Sequence, residues 1–158
     1  MTESVSLPEP RLRFFADLRV QVGAPQEVGR TVHCLRRLIP ITGGHATGDG
    51  WQARVLAGGA DFQLIVSDTL AELDARYTLE TDAGDLVYVQ NRALRSGPAE
   101  LMAQLARGER VDPALIYFRC SPQFETASPT LRWIAERLFT GSGARYPDAV
   151  AMRFWEVM

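Results

Sequence analysis

Polar and apolar residues alternate through most of this chain, and turn-forming residues interrupt the alternation about every ten positions. A period of two calls for β-strands, whereas a helix would repeat its apolar positions about every 3.6 residues. Over residues 14–22, Phe14, Ala16, Leu18, Val20 and Val22 share one face, and Phe15, Asp17, Arg19 and Gln21 the other. Residues 32–41 form a second candidate strand, ended by Pro40 and the pair Gly43-Gly44. Residues 51–56 form a third, stopped by Gly58-Gly59. The series continues through 62–67, 71–81 and 85–91, and Thr81-Asp82-Ala83-Gly84 supplies the hairpin turn before the last of these.

One segment reads differently. Residues 98–107 predict a short helix, with Pro98 at the first helical position, Glu100 near the positive end, and Arg107 then Gly108 closing it. Its stripe of Leu101, Met102 and Leu105 is expected to cover one end of the sheet. Strands resume over 115–120, 124–126, 131–140 and 150–157. The stretch 131–140 also suits a helix, through Leu131, Trp133, Ile134, Leu138 and Phe139. These elements predict an all-β, mainly antiparallel fold, a closed or nearly closed β-barrel of about 8–10 strands with one short helix near 98–107. Residues 1–10, with two prolines, read as a flexible N-terminal segment, and 11–158 as a single barrel domain. A barrel of this size either fills its interior with side chains or holds one small ligand.

Composition removes several classes of function. The 158 residues carry a net charge of -2, and the arginines are scattered with only Arg36-Arg37 adjacent. That balance offers no footprint for nucleic acid or an acidic membrane surface. Cys34 and Cys120 lie in apolar runs without a CxxC, which predicts buried thiols in a reducing compartment. With only His33 and His45 besides, no zinc pattern exists, and the chemistry expected is free of metal and cofactor. No apolar run reaches the roughly 20 residues of a membrane helix. The start lacks the basic and apolar regions of a signal peptide, so the expected location is cytoplasmic. His45 reads as a loop residue after Gly43-Gly44. Trp51, Trp133, Trp155 and the seven phenylalanines read as core or as the lining of an apolar pocket.

The residues that could carry chemistry are acids, arginines and amides set inside strand-like segments. Asp61 and Gln63 alternate against Phe62 and Leu64, so both point to one side. Glu72, Asp74, Arg76, Thr78 and Glu80 share a face opposite Ala71, Leu73, Ala75, Tyr77 and Leu79. That polar face is either wet exterior or polar lumen. Tyr88 and Gln90 share a face with Leu86 and Arg92, while Asn91 lies opposite with Val87 and Val89. Arg119 sits among apolar neighbours, with Glu125 as its candidate partner.

In order and spacing these segments resemble the DUF3237 (UPF0311) proteins, from about residue 12 to the C-terminus. The resemblance rests on Ile39-Pro40-Ile41-Thr42-Gly43-Gly44, Gly58-Gly59-Ala60-Asp61-Phe62-Gln63, Leu73-Asp74-Ala75-Arg76-Tyr77-Thr78-Leu79 and Tyr88-Val89-Gln90-Asn91-Arg92. Tyr117-Phe118-Arg119, Phe124-Glu125-Thr126 and the stretch from Phe139 to Arg145 complete it. It implies an antiparallel barrel similar in outline to lipocalin-like and allene oxide cyclase-like barrels, and it brings no general activity. Ala93, Ser96 and Ala135 stand where the family commonly has glycine, histidine and asparagine. The motif around Asp74 and Arg76 favours the lumen for that polar face.

The function expected is therefore small-molecule binding in the lumen, with cofactor-free acid/base chemistry on a carbonyl, carboxylate or phenol compound. In that reading Asp61 and Asp74 are proton carriers, and Arg76 and Arg119 stabilise an anion. Tyr88, Gln63 and Glu125 complete the ligand set. The alternatives are a non-catalytic carrier using the same pocket, and a structural protein that acts by assembling into homo-oligomers. A buried Asp–Arg pair that only sets strand register is the competing account of the polar faces.

Overall fold

Strand parity decides which side chains enter the interior, and the computed structural model, which describes residues 4–158, follows it closely. The strands are β1 (Leu12–Val22), β2 (Gln26–Thr31), β3 (Cys34–Gly48), β4 (Trp51–Val55), β5 (Ala60–Ser67) and β6 (Leu70–Thr81). They continue with β7 (Leu86–Ser96), β8 (Tyr117–Thr126), β9 (Phe139–Arg145) and β10 (Ala149–Val157), and the helix α1 is Ala99–Ala106. All strand pairs are antiparallel, and β3 bonds to both β1 and β5, so the sheet closes into a barrel of 8 strand positions. β4 and β5 share one position, each flanked by β3 and β6 and separated by the corner at Leu56–Gly59. β2 folds back on β3 as an outer arm. Residues 1–3 of the expected N-terminal segment lie outside the described residues, and residues 4–10 carry no regular secondary structure.

The inner face supplies the core, which includes Leu18, Val20, Ile41, Leu73, Tyr77, Val89, Phe118 and Phe154. Burial of such side chains stabilises by roughly 1.5–3 kcal/mol each relative to exposure. Closure requires β1 and β3 to meet closely. Gly44, with φ of 130°, lies against the backbone of Arg19, where any Cβ would collide. The chain therefore continues as strand through Gly43-Gly44, and His45 is an exposed strand residue paired with Arg19 and Arg54, not a loop residue.

The two ends of the barrel differ. α1 covers one, burying Met102 and Leu105 as its stripe requires. The other is filled by aromatic rings. A bulge between Phe14 and Ala16 turns Phe14 outward and sends Phe15 inward, against Phe139 at 4.8 Å and Trp51 at 5.4 Å between ring centroids. That corrects the expected inward placement of Phe14. The stretch 131–140 is neither one strand nor one α-helix: a 3₁₀ turn at Arg132–Glu136 buries Ile134 and precedes β9. Near the chain ends, buried Glu156 accepts hydrogen bonds from Arg13 at 2.5 Å and Arg137 at 2.7 Å. Burial opposes its charge, and the two guanidiniums outweigh that and hold the carboxyl below its ordinary range.

Candidate functional site

Small residues at inward positions leave a gap in the lumen. Ala75 on β6 and Ala93 on β7 face it across strands whose next inward neighbours are Leu73, Tyr77 and Asn91. β5 contributes Asp61 and Gln63 by the same alternation, since Phe62 and Leu64 point outward. β7 adds Asn91 and Arg95, β9 adds Arg145, and Arg37 is buried beside them on β3. The free space is small, about 40 Å³. That is room for roughly three water molecules.

The electrostatics of this lumen are unusual for a core. Arg95 is 5% exposed and forms no ion pair among the described residues, while Arg37, 7% exposed, has Glu27 as its ion-pair partner. Arg37 Nε stands 3.5 Å from the exposed Glu27, and Arg145 donates to the Ala149 carbonyl at 3.4 Å. Arg95 lies over the Phe118 ring at 5.6 Å. Among the described residues, six buried polar atoms lack a hydrogen-bond partner: Arg37 Nε, Asp61 Oδ1, Gln63 Oε1, Tyr77 Oη, Asn91 Oδ1 and Arg95 Nε. Native interiors satisfy the great majority of such groups, and each orphan costs about 1–3 kcal/mol. Asp61, Gln63, Tyr77, Asn91 and Arg95 line this cavity, which gathers five of the six orphans in one place.

Asp61 accepts one hydrogen bond, from Gln63 Nε2 at 2.7 Å. Burial raises its pKa above the ordinary carboxylate value, against the lowering effect of that bond and of the Arg95 charge. Burial also lowers the Arg95 pKa to about 10; the Asp61 charge opposes that, and Arg145 and Arg37 add to it. Burial of Arg145 lowers its pKa as well. Tyr77 is pushed up by burial, and so is Cys120, to about 12, which leaves the latter an inert thiol.

The remaining expected site residues lie on the outer surface. Asp74 and Arg76 share the outward face of β6 and pair at 2.9 Å, with side chains 27% and 48% exposed. Burial of Asp74 is more than offset by hydrogen bonds from Arg76 and Gln90, so its pKa is lowered. Tyr88 points outward from β7. Arg119 and Glu125 point outward from β8, and Arg119 bonds the Phe118 carbonyl at 3.0 Å and stacks over Tyr117 rather than pairing with Glu125. Placement of Asp74, Arg76, Tyr88, Arg119 and Glu125 in a shared lumen is thereby corrected. The physical reason is parity: Leu73, Ala75, Tyr77, Val87, Val89, Phe118 and Phe124 occupy the inner positions, and alternation sends their neighbours out.

Further hollows lie outside the lumen. A shallow outer groove of about 560 Å³ is bordered by Arg36, Phe62, Asp74, Arg92 and Arg119. Its charges are solvated, and Asp74 is already paired. At the aromatic end, Phe15, Trp51, Phe124 and Trp133 line a hollow of about 340 Å³. The lumen is smaller than both, but five of the six orphaned atoms belong to residues that line it. No cluster of three or more metal-ligating side chains occurs among the described residues, and none of the described helices is long and apolar enough to cross a membrane.

Comparison with known proteins places this barrel among close relatives. The family model described as "Protein of unknown function (DUF3237)" matches residues 10–157. A UPF0311 protein of Rhodopseudomonas palustris is 42% identical over 151 residues, covering 96% of this chain and 99% of that one. Its crystal structure superposes with a TM-score of 0.90 over 97% of this chain and all of that one. A "beta-barrel like protein" from Acinetobacter baumannii is 40% identical, with a TM-score of 0.84 over 97% of this chain and 99% of that one. A more distant structure, of an enzyme from Penicillium herquei, is 18% identical with a TM-score of 0.71, covering 98% and 99% of the two chains, and shares the fold.

Proposed function

Because the chain belongs to the DUF3237 family, whose description carries no activity, we propose a function from the lumen itself: the barrel binds a small organic molecule and moves a proton on it without a cofactor. Asp61 is the proton carrier. The observation that carries this reading is the position of Asp61, a carboxyl with a raised pKa beside orphaned amides and guanidiniums in a cavity. A carboxyl shifted toward neutral pH exchanges protons efficiently under physiological conditions. Gln63 orients it through their hydrogen bond, and Arg95, Asn91 and Tyr77 are available to hold a developing oxyanion. Isomerisation, cyclisation and addition–elimination all use that pair of tasks. The occurrence of this fold in an enzyme of Penicillium herquei shows that the architecture accommodates catalysis.

A non-catalytic carrier would use the same lumen, and the unpartnered atoms favour ligand binding whether or not a proton moves. Proton transfer separates the two. Deuterium uptake by a panel of small C–H-acidic ketones and keto acids would be followed by NMR in D₂O. The expected outcome is acceleration by the wild type that falls about a hundredfold in Asp61→Asn and is unchanged in Asp74→Asn. Equal rates for wild type and Asp61→Asn would remove Asp61 from the chemistry.

A further inference from the structure

Arg95 and Arg145 line the lumen, and the buried Arg37 lies near enough for its charge to act on both. Within the cavity the single carboxylate is Asp61, and its own pKa is raised by burial, so it is a weak counter-ion. Glu27 pairs with Arg37 from the exposed arm β2, and the exposed Asp148 acts on Arg145. The Arg95 Nε is buried and, among the described residues, has no hydrogen-bond partner, and its guanidinium lies over the Phe118 ring. Burying an unpaired charge is costly unless something completes it. Arg145 and Arg37 also repel Arg95. Guanidiniums that repel one another at a low-dielectric cavity are stabilised by an anion placed between them.

Resting on the lumen reading above, we propose that Arg95 and Arg145 form a carboxylate-binding subsite, so that the ligand of this barrel is an organic acid. Guanidinium forks match a carboxylate in two-point geometry, which a neutral carbonyl does not provide. The free space of about 40 Å³ suits a head group of a few heavy atoms. Half-buried Val22, Arg145 and Val150 border the cavity and provide the side from which the rest of such a molecule extends.

The test uses paired probes, acetate with acetamide and benzoate with benzamide, titrated into the intact chain at constant ionic strength. Binding is read from the side-chain amide resonances of Gln63 and Asn91 and from thermal midpoint. The subsite is supported if the carboxylates shift those amides, the amides do not, and Arg95→Met weakens carboxylate binding about tenfold or more. Arg145→Met provides the same readout should Arg95→Met fail to fold. Equal binding of acid and amide would overturn the carboxylate assignment while leaving the lumen as a binding site. Carboxylate binding that survives both arginine substitutions would place the anion elsewhere and overturn the subsite. No response of Gln63 or Asn91 to any probe would overturn both the subsite and the lumen reading on which it rests.

Discussion

Asp61 and Asp74 sit on paired strands and are both near an arginine and a glutamine, yet the protein treats them in opposite ways. Asp61 points into the lumen, where burial raises its pKa and Gln63 is its one hydrogen-bond partner. Asp74 points outward, where Arg76 and Gln90 both donate to it and its pKa falls. Phe62, the neighbour of Asp61, is the register partner of Asp74, so a single step along β5 separates the two environments. The contrast teaches that residue type sets what a side chain can do, whereas parity sets the dielectric in which it does it. A carboxylate with two donors in a half-wet groove is a surface pair contributing at most about 1 kcal/mol. In the proposed function the carboxyl with orphaned neighbours in a cavity is the one that moves the proton.

Substitutions at neighbours of opposite parity probe this contrast. The largest effect is expected in β8, where Phe118→Ala empties core volume and costs about 3–5 kcal/mol. Tyr117→Ala, one residue away and outward, costs under about 1 kcal/mol; denaturant melts of the two variants compare them directly. In β7, Arg95→Met replaces an unpaired buried charge by an apolar chain of similar length and is expected to raise stability by about 1–3 kcal/mol. Arg92→Met, on the outward face, changes it by about 0.5 kcal/mol or less. A large loss in Arg95→Met would mean that Arg95 already has a strong internal partner.

The smallest effect is on pH dependence, and its sign differs between the two aspartates. With its folded pKa raised by burial, Asp61 contributes stability that is fully present below its unfolded pKa and is lost as pH rises through the folded value. With its folded pKa lowered, Asp74 contributes stability that is present above its unfolded pKa and is lost as pH falls through the folded value. Asp61→Asn is therefore expected to flatten the decline on the alkaline side of the ordinary carboxylate range. Asp74→Asn flattens the decline on the acid side, and weakly because the pair is exposed. Thermal midpoints across pH for wild type and both variants would reveal the opposite slopes.

Much of the barrel was legible because alternation is a local signal. β1, β4, β5, β6 and β10 were read close to their extents, as was α1 from Pro98, Glu100 and Gly108, whereas β7, expected over 85–91, runs on to Ser96. β2 was missed because it lies outside the ring with both faces largely exposed, so no apolar alternation is required of it. β9 was missed because Gly141 and Gly143 depress strand propensity; they are needed where a Cβ would strike Cys120 and Phe118. The inward placement of Asp61 and Gln63 was read correctly from β5. For β6 the apolar face itself pointed inward, and favouring the lumen for Asp74 and Arg76 went against the stronger physical signal. Arg95 shares parity with Val87, Val89 and Asn91 but lies past residue 91, where the expected strand ends; Arg37 shares parity with Ile39 and Ile41 and was within reach of the same rule. Arg145 was not, since β9 had not been read as a strand.

The most direct test of the central claim is a ¹³C NMR titration of the aspartate carboxyl carbons, assigned through Asp61→Asn and Asp74→Asn. The account predicts that Asp61 titrates above the ordinary aspartate value near 3.8 and Asp74 below it. An Asp61 that titrates at or below Asp74 would mean that the lumen stabilises its charge, that the arginines are already satisfied, and that this carboxyl serves the fold rather than chemistry.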